Sequence, residues 1–248
     1  MNNLDFSSLP TSVEKKLAPL VAEVLAAHGG NIHSMHVTGS AVLPDYDAAL
    51  SDINSLLVLN AMDVHLLDFL APLGKRYGKT GVAAPLVMTE SYIERSLDAF
   101  PLEFLDFKLI HKTIYGNDIL QGLAIDRRHL RLQCERDIKA KLIGLRQGYL
   151  SSLGRKDRLA SLLVRSITGS MGLFRAVLAV LGKDTPLQRP DVVRAFGNAV
   201  NVDPTVFLDL LALKAVRIKP SERELHGLFT GYHAALDTVG NMIDDLPL

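Results

Sequence analysis

Three kinds of side chain are scarce in this chain of 248 residues: it has one cysteine, no tryptophan and only 6% aromatics. A lone cysteine, Cys134, excludes an internal disulfide framework and a multi-cysteine zinc site, and it suits a reducing cytoplasm. Net charge is missing as well, since 27 Lys+Arg stand against 27 Asp+Glu. A zero total removes the general attraction to nucleic acid or anionic lipid that a strongly basic chain would have. The longest apolar stretch, Ile167 to Leu181, is interrupted by Arg175 and falls short of the roughly 20 residues of a membrane span. Met1 to Pro10 carries neither the basic n-region nor the apolar h-region of a secretory signal. The expectation is a cytoplasmic chain with no membrane partner.

What is present is a globular composition, 48% apolar and 22% charged, enough to bury a core. The neutral total is also uneven along the chain. Residues 1–125 carry 8 basic and 14 acidic side chains, a balance of −6; residues 126–165 carry 11 and 4, or +7; residues 166–248 carry 8 and 9, or −1. A basic block that includes Arg127, Arg128, Arg131, Arg136, Lys139, Lys141 and Arg146 therefore opens the second half. Glu135 and Asp137 are too few to absorb it through i,i+4 pairs on one helix. It reads either as a solvated face or as a surface for an acidic neighbour, a nucleotide or a nucleic acid. Tyr149 is its one aromatic, which argues against a single-stranded nucleic-acid partner.

The first half alternates helical and strand-like patterns. Thr11-x-x-Glu14 has the form of a capping box opening a helix to about His28, where Gly29-Gly30 stops it. Ser34 to Val37, Ile53 to Leu59, Val82 to Met88 and Leu102 to Ile110 read as strands, with helices over Val64 to Tyr77 and Glu90 to Leu97. After about Ile125 the strand signals stop. Arg131 to Leu150 and Leu159 to Leu181 read as helices, the second with small residues Ser166, Gly169, Ser170 and Gly172 for close contact. Asp203-Pro204 and Ser221-x-x-Glu224 mark further helix starts. The reading is α+β: a mixed sheet with helices over residues 1–125, then an all-helical bundle of four or five helices over residues 126–248.

The segment that carries chemistry is His36-Val37-Thr38-Gly39-Ser40, eleven further residues, then Asp52-Ile53-Asn54 at the head of the apolar run. Gly39 lets a phosphate approach the backbone, and Ser40 supplies a hydroxyl and an amide. Strand alternation would set Asp52 and Asn54 on one face, two oxygen donors beside the turn, as Mg²⁺ requires.

Gly39-Ser40 and Asp52-Ile53-Asn54 at this spacing resemble the signature of the nucleotidyltransferase superfamily, which includes polymerase-β-like, minimal and aminoglycoside nucleotidyltransferases. The resemblance implies the family fold over roughly residues 30–120, with the site in a cleft beside the helical half. It also implies Mg²⁺-dependent transfer of a nucleoside monophosphate from an NTP, ATP foremost, to the hydroxyl of a small-molecule or protein acceptor. Gly39 and Ser40 would bind the nucleotide; Asp52, Asn54 and Glu103 would hold one or two Mg²⁺ ions. The family needs a third carboxylate as base, and Pro101 to Lys108 offers Glu103 and Asp106. In a strand they face opposite ways; resemblance to the aminoglycoside branch, where a glutamate acts as base, selects Glu103, with Asp106 the competitor because many other members use an aspartate there. The departure is Asn54, which stands where the family has a carboxylate and offers one neutral oxygen. It predicts weaker metal binding, and it raises the alternative of a catalytically impaired nucleotide-binding regulatory or interaction protein of the same fold.

The remaining reactive side chains read as structural. Asp45 and Asp47 read as solvated turn residues. His33 and His36 would form a metal site only with a third ligand, and none stands near them in sequence. His111, His226 and His233 have no assigned role, and Cys134 reads as a buried helical thiol.

Overall fold

The computed structural model describes residues 4–44, 46–49, 51–215 and 220–246. It separates into two compact units, one of Met1–Ala99 with Phe104–Ala124, the other of Phe100–Glu103 with Ile125–Leu248.

The first unit is built on a four-stranded mixed sheet, β1 (Ile32–Thr38), β2 (Asn54–Leu59), β3 (Leu86–Thr89) and β4 (His111–Gly116), in the order β3-β2-β1-β4. β1 runs antiparallel to both neighbours, and β2 is parallel to β3. Two helices, α1 (Thr11–His28) and α2 (Val64–Gly78), cover one face. Val13, Leu17, Leu20, Val21 and Val24 recur at helical spacing on α1 and pack with Met35, Val37, Leu57 and Ile114 from the sheet. The Thr11 capping box does not form: Pro10 occupies the cap position, and Thr11 is already helical. α2 does begin on a side-chain cap, with Asp63 accepting from His65 N at 2.9 Å.

The expected strand over Leu102 to Ile110 is a helix, α4 (Pro101–Leu109), which follows the short α3 (Glu90–Arg95). The apolar residues of this segment alternate at several positions, which mimics a strand. Pro101 fits a helical first turn, however, and Pro101, Phe104 and Leu105 are the buried set at i, i+3, i+4.

The second unit is helical throughout its described residues: α5 (Arg127–Ser152), α6 (Lys156–Thr168), α7 (Met171–Val180), α8 (Arg189–Val200), α9 (Thr205–Ala215) and α10 (Glu222–Asp244). The single helix expected over Leu159 to Leu181 is broken at Gly169-Ser170 into α6 and α7, giving six helices rather than four or five. The small residues there do make a close contact: the hydroxyl of fully buried Tyr232 meets Ser166 Oγ at 3.1 Å and Ser170 Oγ at 3.0 Å. Lys156–Val180 is long and apolar enough to cross a membrane by length and composition, and 61% of its apolar window is buried within the protein. Ser221 and Glu224 form the expected capping box at the start of α10.

Four of the scarce aromatics meet at the centre of this unit. Phe174 stacks on Phe196 at 4.0 Å between ring centroids, and Phe207 meets both edge-on before touching Tyr232. One ring each from α7, α8, α9 and α10 thus forms the centre of the bundle. Phe174→Ala should cost about 3–5 kcal/mol, as expected for an emptied aromatic site, read as a lowered denaturant midpoint. Cys134 on α5 is fully buried, and burial pushes its thiol up to about 12. It should resist alkylation at pH 8 in the folded protein and react fully once denatured.

Candidate functional site

Because side chains alternate along a strand, the face of β1 opposite the α1/α2 core carries Ser34, His36 and Thr38. All three are buried. Thr38 pairs with Asn54 of β2 on one side and with His111 of β4 on the other. Directly opposite partners share a face, so Asn54, Thr38 and His111 form one polar row across three strands.

At the end of β1 the chain turns sharply. Gly39 has φ +70°, a left-handed conformation that favours glycine, and it opens a short 3-10 turn over Gly39–Val42. A Cβ there would stand 3.8 Å from Asn54 Nδ2, which shows how close the Asn54 amide lies to the turn. Gly39 N donates to Ile110 O at 3.2 Å. Thr38, Gly39, Asn54, Ser55, Asp106, Phe107 and Ile110 line, with Ala84 and Leu86, a pocket of about 320 Å³. Its lining combines polar side chains (Thr38, Asn54, Ser55, Asp106) with apolar ones (Ala84, Leu86, Phe107, Ile110).

The sequence-derived candidates divide around this pocket. Gly39, Asn54 and Asp106 line it together. Asp52 lies outside the lining; it precedes β2, and its Oδ1 sits 3.8 Å from where a Gly81 Cβ would stand, as does Lys16 Nζ. β2 begins only at Asn54, so regular strand alternation does not carry Asp52 to the same place. Asp52 also acts on Tyr46, whose hydroxyl is held above its usual range by burial and by the charges of Asp52 and Asp47. Ser40 is half-buried in the turn. Glu103 is exposed, and its carboxylate accepts from Gln133 Nε2 at 2.7 Å, while Gln133 Oε1 accepts from Leu102 N at 2.8 Å. On a helix Glu103 and Asp106 are one turn apart and not on opposite faces, which removes the strand argument for choosing between them.

Asp47 is a turn residue, accepting from Ala49 N at 2.8 Å, and Asp45 lies outside the described residues. Thr38 stood inside the Gly39-Ser40 motif without a role assigned to it, and Ser55, Phe107 and Ile110 were not among the candidates. They reach the pocket through cross-strand pairing and through the helical turn of α4, neither of which a linear motif records.

The histidine reading changes most. His36 makes hydrogen bonds at both nitrogens, 2.9 Å to Ser34 Oγ and 2.9 Å to Thr113 Oγ1. Burial, with His111 and His33 nearby, lowers it to about 4, so the ring is neutral at physiological pH. His111 faces it with ring centroids 5.9 Å apart and pairs with Asp118 at 3.0 Å. His226 and His233 are structural partners of Tyr149 and Arg146.

The basic block is largely paired within the second unit. Arg131 on α5 binds Glu135, and its Nε and Nη2 donate to the carbonyls of Leu246 and Asp244 at the end of α10. Lys139 pairs with Glu135 and Asp244, Arg146 faces Asp237, and Lys141 Nζ donates to Ser166 O. Tyr149 stacks on Phe229 at 4.3 Å between ring centroids. Partners on α10 and carbonyls at helix ends supply what the helix itself lacked.

No known protein-family profile matches the sequence, and no curated protein does. Among solved structures, the chain is similar to a spectinomycin adenyltransferase from Enterococcus faecialis determined with ATP and spectinomycin. The TM-score is 0.54 at 11% identity, over 90% of this chain and 99% of the other. The likeness establishes the fold: a nucleotidyltransferase-type mixed sheet with helices, followed by a helical region.

Proposed function

We propose that this chain is a nucleotidyltransferase that moves a nucleoside monophosphate from an NTP, ATP foremost, to the hydroxyl of a small-molecule or protein acceptor. The observation that carries this reading is the pocket in which the Gly39 turn, Asn54 and Asp106 meet on a sheet whose fold is shared with an adenyltransferase. The Gly39-Ser40 turn is the phosphate-facing element, because a glycine without Cβ allows the closest approach of phosphate to backbone. The acceptor oxygen attacks the α-phosphorus, the bond to the bridging oxygen of the β-phosphate breaks, and pyrophosphate leaves with that electron pair. The acceptor proton passes to a carboxylate. Asp106 is better supported for that role than Glu103, because it lines the pocket and Glu103 does not.

The donors fit a hard cation sparingly: one carboxylate, Asp106, and one amide oxygen, Asn54, with Asp52 lying near Gly81. A Mg²⁺ ion held there would neutralise phosphate charge and would keep several waters. That thin donor set favours a second reading, a nucleotide-binding regulatory protein of the same fold with impaired catalysis.

Label transfer from each NTP to a panel of aminoglycoside-like, other small-molecule and protein acceptors separates the two. Asp106→Asn should lower transfer by about 10²–10⁴-fold, the usual contribution of a positioned base, with NTP binding retained. Asn54→Asp should raise both Mg²⁺ affinity and turnover, since it adds a charged ligand to the pocket. If no NTP yields product and Asn54→Asp does not restore any, catalysis is abandoned and saturable NTP binding remains as the prediction. Absence of NTP binding with Mg²⁺ ends both readings.

A further inference from the structure

The polar face of the sheet carries a second constellation, one register step from the pocket. His36 on β1, His111 at the start of β4 and Asp118 just beyond β4 each offer one ligand atom, and the three atoms lie within 4.8 Å of one another. Among the described residues this is the one group of three or more ligating side chains brought together in this way.

Three features make it more than a polar cluster. First, the turn that returns Asp118 to His111 depends on glycine. Gly116 has φ +73°, and a Cβ there would lie 2.1 Å from His33 O. Asp118 is then oriented by the loop backbone, its Oδ1 accepting from Leu120 N and Gln121 N, both at 3.1 Å. Second, the hydrogen bonding is incomplete. His111 has a side chain only 5% exposed, and its Nδ1 is buried with no hydrogen-bond partner. Buried polar atoms without a partner are rare in folded proteins, and a bound ion is one of the explanations for such an exception. Third, His36 is already oriented by hydroxyl groups on both sides, with Ser34 Oγ and Thr113 Oγ1 each at 2.9 Å. When one hydroxyl gives way to an ion, the other remains to fix the ring, as partners behind metal-bound histidines do.

We propose that His36, His111 and Asp118 bind a first-row divalent transition-metal ion of the zinc type, with one coordination position open to water. Two imidazoles and a carboxylate select such an ion over Mg²⁺ or Ca²⁺, which prefer all-oxygen sites. Four-coordinate zinc places neighbouring ligand atoms about 3.3 Å apart at bond lengths of about 2.0–2.1 Å. The 4.8 Å spread of the three atoms would have to contract toward that spacing when the ion binds. The ion would pin the segment after β4 onto β1, and it is separate from any Mg²⁺ bound at Asn54 and Asp106.

Untagged full-length protein, stripped with a chelator and titrated with Zn²⁺ against a chromophoric competitor, tests the site directly. The expected result is one Zn²⁺ per chain, unaffected by millimolar Mg²⁺, with Co²⁺ giving the intense visible bands of a four-coordinate ion. Asp118→Asn and His111→Gln should each weaken Zn²⁺ binding at least tenfold while circular dichroism stays unchanged. Asp106→Asn, at the other pocket, should leave Zn²⁺ affinity unaltered, so failure of the nucleotide reading does not affect the result. Sub-stoichiometric Zn²⁺ binding in the wild type overturns the proposal, as does wild-type affinity in both folded variants.

Discussion

The register of β1 against its two antiparallel neighbours is the constraint on which the first unit depends. All but one of the seven strand residues are buried, so both faces are committed. Met35 and Val37 face the α1/α2 core, while Ser34, His36 and Thr38 face the other way. A slip of one residue would exchange the two sets, burying polar groups against leucines and setting valine and methionine among the polar groups of the opposite face. The hydrophobic core thus sets the position of every polar group on the opposite face. It fixes Thr38 between Asn54 and His111, sets where the Gly39 turn begins, and decides that His36 lies beside Thr113.

The second unit is organised differently, by rings at its centre and charges toward its ends. Four aromatic residues from four helices make its middle, where large flat side chains bury much apolar area with few rotamers to lose. The basic residues of α5 work at the periphery. Arg131, buried despite its charge, reaches the last carbonyls of α10, where orphan acceptors and the negative end of the helix dipole favour a cation. This accounts for much of the charge imbalance along the chain without an external partner: the excess on α5 is complementary to α10, a hundred residues later.

The main elements were legible because their signals are local. The apolar spacing of α1, the continuous run of β2 and the Ser221 capping box each depend on residues within a few positions of one another. The failures have the same explanation in reverse. Thr11 resembles a cap in sequence, but the preceding proline takes that position. Pro101 to Leu109 alternates enough to resemble a strand, and which of its residues are buried is settled by packing. The exchange of partners between α5 and α10, like the meeting of His36, His111 and Asp118, spans tens to a hundred residues and leaves no local trace.

Sequence alone was sufficient for the α+β class, the all-helical second half and the Gly39–Asn54 motif, since periodicity, capping chemistry and glycine conformation act over one or two turns of chain; the last strand, β4, it missed, placing a strand over the residues of α4. Only the tertiary structure decided that Asp106 and not Glu103 lines the Gly39 pocket, that Asp52 lies near Gly81, and that two distant histidines come together beside Asp118. Those outcomes follow from strand register and helix rotation, which are set by burial across the whole unit and not by neighbours in sequence.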